Sequence, residues 1–161
     1  MKKIVSVLFV FSLLLMSCQG EDGIDGQNGS IFLGQSFERN IDLVTTNNYQ
    51  QTIEIPLSID LYDTDMVLVY RLLGQSGGYD IWKPLPETVY TNFGDEFQYN
   101  FEHNFDFVTI FIDAPSTFNY NNLLSGDTLN QVFRIVVLPV DFVNSKNIDV
   151  TNYDEVIKYT K

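Results

Sequence analysis

Cysteine, histidine and tryptophan each occur once in these 161 residues, as Cys18, His103 and Trp82. A single cysteine cannot close a disulfide within the chain, so stability has to come from a packed core. One cysteine and one histidine cannot furnish the several soft ligands of a zinc site. His103 is the only base available to a Ser-His-acid arrangement, and it closes an alternating strand pattern, where a strand-end side chain is expected. Positive charge is scarce as well: nine Lys and Arg stand against 21 Asp and Glu, a net charge of −12. That balance disfavours nucleic acid and anionic lipid surfaces. Long apolar runs are missing, because Ile4–Leu15 is well short of the ~20 residues that span a bilayer. Gly74-Gln75-Ser76-Gly77-Gly78 lacks the lysine and helix of a phosphate-cradling loop.

What is present starts with Lys2 and Lys3, followed by the apolar run, as in an export signal. Leu15-Met16-Ser17-Cys18 resembles a bacterial lipobox. That resemblance implies cleavage before Cys18 and acylation of its thiol, so residues 1–17 are expected to be a lipoprotein signal peptide. Removal of Lys2 and Lys3 would leave seven basic side chains (nine less two) against 21 acidic ones, a net −14. Gly20, Gly23, Gly26 and Gly29 then mark three collagen-like triplets without proline. A triple helix needs proline to stiffen it, so residues 18–30 read as a lipidated cysteine and a flexible polar tether. Glu21 and Asp22, close behind Cys18, resemble the acidic surface-export tags of Bacteroidota lipoproteins. The expected location is the outer membrane, lipid-anchored and facing the exterior, with the periplasmic face as the alternative.

Residues 31–161 read as one domain. Glu96–His103 alternates cleanly, with Phe97, Tyr99, Phe101 and His103 on one face. Ile53, Ile55, Leu57 and Ile59 share a face around Pro56, which marks an edge strand or a bulge. Met66–Leu73 is apolar on both faces and reads as a central strand. Phe107–Ile112 and Gln131–Leu138 are β-branched and aromatic. Ile31–Ile41 and Thr88–Phe93 are weaker strand candidates. Turn signals separate these runs at short intervals. The pattern predicts a mainly β fold: an antiparallel β-sandwich, immunoglobulin-like or related, with one short C-terminal α-helix. Thr151 is the expected N-cap of that helix, with Asp154 completing a capping box, and Tyr153, Val156 and Ile157 should dock on a sheet.

The lipobox, the Gly-x-y stub, "YDIWKPLPETVY" (79–90), "VFRIVVLP" (132–139) and "TNYDEVIKY" (151–159) together resemble uncharacterised Bacteroidota lipoproteins with a collagen-like stub and a C-terminal β-domain. The resemblance spans most of the mature chain. It implies no known activity and carries over no catalytic residues.

Candidate sites are few. Cys18 is the expected lipid anchor. Trp82, with Tyr79 and Asp80, lies between glycines and prolines. An aromatic there can stack on a sugar face while Asp80 accepts hydroxyl hydrogen bonds, or Trp82 can pack against the core, which is the favoured reading. Asp60, Asp63 and Asp65 cluster in a turn, as a calcium loop or as solvated carboxylates. No cofactor is implied. The expected function is a lipid-anchored cell-envelope protein with a non-enzymatic structural or interaction role. The alternative is a surface glycan-binding or adhesive lipoprotein, with a two-carboxylate hydrolase as a third reading. The implied partners are the membrane, through the lipid, and a glycan or another envelope protein.

Overall fold

Period-two alternation turns alternate side chains to opposite faces of a strand, and two sheets bury those faces against each other. The computed structural model of the chain describes residues 34–161; the signal segment, Cys18 and the Gly-x-y stub lie outside the described residues. Eight strands form: β1 (Gln35–Ile41), β2 (Gln50–Glu54), β3 (Asp65–Ser76), β4 (Tyr79–Pro84), β5 (Glu87–Tyr90), β6 (Glu96–His103), β7 (Phe107–Asp113) and β8 (Gln131–Pro139). They make two four-stranded antiparallel sheets, in the orders β1-β8-β3-β4 and β2-β7-β6-β5. The architecture is the expected β-sandwich. Its strand order differs from the immunoglobulin arrangement, in which the first two strands share a sheet; here β1 lies beside β8, and β2 is in the opposite sheet.

The interlayer core takes Val67 and Val69 from β3, Phe133, Ile135 and Val137 from β8, Phe97 and Tyr99 from β6, and Val108, Ile110 and Ile112 from β7. A second apolar cluster covers the outer face of the first sheet. There Tyr70, Val136 and Leu138 meet Val143, Ile148 and Val156 of the C-terminal segment. This second layer explains why β3 and β8 are apolar on both faces.

The expected short C-terminal helix forms, and two local expectations, the end of β2 and the cap of that helix, are corrected. β2 ends at Glu54, because Pro56 lacks an N–H for the ladder. A turn closed by the Ile59 N–H on the Pro56 carbonyl (2.8 Å) swings Leu57 out to 95% exposure. The C-terminal segment holds two helices, α2 (Val140–Lys146) and α3 (Tyr153–Ile157), after a single-turn α1 (Ser125–Thr128). The cap of α3 is Asn152, whose side chain accepts from the Asp154 N–H at 3.1 Å, while the Thr151 hydroxyl donates to Asp149. Tyr153 and Val156 do dock on the sheet.

Where the strand pattern places Arg71 toward the interlayer space, a polar network replaces apolar packing. Arg71 donates to both Glu87 carboxylate oxygens (2.7 and 2.9 Å) and to Gln131 (3.1 Å), so the pair ties β3 in one sheet to β5 in the other. The guanidinium lies 4.4 Å from the centre of the Tyr99 ring. Gln131 in turn donates to the carbonyls of Gly126 and Leu129, and the Tyr99 hydroxyl donates to the Asp127 carbonyl at 2.6 Å. Burial works most strongly against the Arg71 charge, but the hydrogen bonds that Arg71 donates to Glu87, together with the electrostatic attraction of Tyr99, Glu87 and Asp127, outweigh it and keep the group more basic than usual.

Two buried tyrosines make the fold sensitive to alkali. Burial pushes the phenols of Tyr70 and Tyr99 well above the usual tyrosine range. The Asp149 charge adds to this at Tyr70, and Arg71 opposes it at Tyr99. Unfolded tyrosines lose their protons near pH ~10. Above that pH the unfolded state binds fewer protons than the native one, so stability falls as pH rises. The urea midpoint is expected to hold steady below pH ~10 and to drop above it, and Tyr70→Phe should make that drop shallower. A flat profile through pH ~11 would count against the buried phenols.

Candidate functional site

The described residues most suited to recognition lie at one end of the sandwich. The turn leading into β3 brings Leu61, Tyr62, Asp63 and Asp65 against His103, Asn104 and Phe105 of the β6–β7 hairpin, around a cleft of about 280 Å³. The pairing registers of β3 and β6 decide this meeting. β3 starts at Asp65, opposite Pro139, and β6 ends at His103, opposite Val108. Gly34, the first described residue, belongs to the same end: its N-terminal strand starts level with Val137, two residues from Pro139. A Cβ at Gly34 would lie 2.7 Å from the Val137 carbonyl oxygen, so the close approach requires glycine. The Lys161 N–H bonds the Gly34 carbonyl, and the Ser36 N–H bonds the Lys161 carbonyl.

Local hydrogen bonds set the polar groups of the cleft. The Asp65 carboxylate accepts from the Tyr62 N–H at 2.9 Å. Asn104 Oδ1 accepts from the N–H groups of Asp106 (2.9 Å) and Phe107 (2.8 Å), so its Nδ2 is the free, donating end. Tyr62 and Phe105 are 64% and 56% exposed. Among the described residues, no lysine, arginine, serine or cysteine lines the cleft. A broader cleft of about 510 Å³ runs between the edges of β1 and β2, past Arg39, Asn40, Gln51, Thr52 and Glu54, with no aromatic among the described residues that line it.

The residues singled out from the sequence are placed differently. Cys18 lies outside the described residues. Tyr79, Asp80 and Trp82 all belong to β4, but alternation puts Tyr79 on the face opposite Asp80 and Trp82. Tyr79 is 76% exposed at the tip of the β3–β4 hairpin, where Gly77 and Gly78 take positive φ. Asp80 accepts from Gln75 across that hairpin at 2.9 Å. Trp82 is half-buried on the outer face of the sheet. It stacks on Tyr153 (centroids 5.6 Å apart), with the Arg134 guanidinium 4.2 Å from its ring centre and that arginine bonded in turn to Glu38. Trp82 therefore packs against the second cluster rather than the interlayer core, and the three residues do not form one platform.

Asp60, Asp63 and Asp65 do not gather either. Among the described residues no three acidic, histidine or cysteine side chains are grouped so as to hold a metal ion, and one Asp65 oxygen is engaged by the turn. Sequence reasoning did flag Asp63, Asp65 and His103. It missed Tyr62, Asn104 and Phe105, whose signal was two aromatic residues placed in turns rather than strands. No protein family, curated protein or solved structure matches the chain.

Proposed function

We propose that this is an exported protein, held at the cell envelope by acyl chains on Cys18, whose β-sandwich acts as a non-enzymatic binding module. The observation that carries the binding role is the convergence of two separate turns on one cleft, with exposed aromatics beside fixed polar groups. Such groups on a rigid scaffold suit recognition. The anchor rests on Leu15-Met16-Ser17-Cys18. The proposed location is the outer membrane, with the domain displayed outward on its tether.

Cys18→Ala tests the anchor. The native chain should incorporate labelled palmitate and fractionate with membranes, since two or more acyl chains hold far better than one. The variant should take up no label and appear in the soluble fraction. A variant that remains wholly with membranes would show that something other than the cysteine holds it there.

A further inference from the structure

We infer that the cleft between the β3 entry turn and the β6–β7 hairpin binds a single neutral saccharide ring. The inference rests on the reading of the domain as a binding module and assigns that module its ligand class. At about 280 Å³ the cleft lies at the small end of ligand pockets, in the range of one ring rather than a drug-sized molecule. Tyr62 and Phe105 present exposed aromatic surface on which the C–H face of a sugar packs without desolvating a charge. Between them the polar groups are mixed in kind. The Asp63 and Asp65 carboxylates accept, Asn104 Nδ2 donates because its Oδ1 is occupied by two backbone N–H groups, and the His103 imidazole and Tyr62 hydroxyl do either.

That mixture separates a sugar from its competitors. Among the described residues, an anion would meet two carboxylates and neither lysine nor arginine. A cation would suit the carboxylates and aromatic faces, but the Asn104 amide protons would repel it. Vicinal hydroxyls each donate and accept, so they can satisfy both kinds of group. A lipid chain would leave the carboxylates and the amide desolvated and unpaired, at a cost that weakens binding.

The test is saturation-transfer NMR on the full chain in detergent, using the methyl glycosides of glucose, galactose, mannose and N-acetylglucosamine as probes and tetramethylammonium chloride as the cationic control. At least one glycoside should receive magnetisation from the protein, with a dissociation constant in the millimolar range. Tyr62→Ala and Phe105→Ala should each weaken it at least tenfold while leaving the melting temperature unchanged, because both side chains are exposed. Tetramethylammonium binding in place of the glycosides would overturn the proposal in favour of a cation site. Glycoside binding that survives both substitutions would overturn the assignment to this cleft and leave the binding-module reading standing. No binding by any glycoside would overturn the ligand class. The membrane fractionation of Cys18→Ala reads the anchor independently of all three.

Discussion

Glu87→Ala should destabilise the domain by about 3–5 kcal/mol, because it leaves Arg71 as a buried charge without its counter-ion. Glu87 is only 4% exposed, and both of its oxygens are taken by the guanidinium. Lys83, 3.4 Å from the same carboxylate, stands at the exposed edge and can turn to water once the partner is lost. Arg71 cannot do so, since it is held under the Tyr99 ring and against Gln131. The pair need not itself be favourable: taking two charges out of water costs several kcal/mol each, and apolar replacements of similar volume often do as well. The double variant Arg71→Met/Glu87→Leu should therefore recover most of the stability lost by the single one. Urea denaturation of the three proteins decides this, and a loss below about 1 kcal/mol in Glu87→Ala would mean that water reaches Arg71.

Trp82→Ala should cost about 3 kcal/mol, at the low end of the range for deleting a large aromatic from a core, because the indole is only half-buried. The loss combines the stack on Tyr153 with the contact to Arg134. Its effect should be concentrated in the C-terminal layer, since Trp82 touches the cluster built by Val143, Ile148 and Val156 rather than the interlayer core. Amide hydrogen exchange should accelerate in α2 and α3 before it does in β6 and β7. Tyr79→Ala, on the opposite face of the same strand and 76% exposed, should change stability by less than about 0.5 kcal/mol. Equal effects at the two positions would refute the placement of β4.

Alternation alone identified the long strands. β6 matches the predicted span to the residue, and β3, β7 and β8 match it to within a few, because period two is a local property that burial of one face enforces. It failed at β4. There Tyr79–Pro84 sits between glycines and prolines and looks like a loop, yet it pairs with β3 through a tight hairpin and a bulge between Leu72 and Gly74. It failed also at the end of β2, where one proline outweighed three further apolar residues. Thr151 and Asn152 are both capping residues, with Asn the better of the two, but the Asp three residues after Thr151 points to Thr151 as the start of a capping box. In the structure the choice falls to Asn152 because Thr151 bonds Asp149 instead.

The sequence by itself determined the fold class, the rows of core side chains along the long strands and the need for a core without disulfides, since each of these depends on residue type and spacing. Only the tertiary structure decided which sheet each strand joins, that the doubly apolar faces of β3 and β8 are covered by the chain's own C-terminal helices, and that Trp82 and Tyr79 face apart. It alone brought Tyr62 and Asp65 to His103, Asn104 and Phe105. The physical reason is that such pairings join residues far apart in the chain. They are set by strand register and by the packing of one sheet on another, neither of which leaves a periodic trace in the sequence.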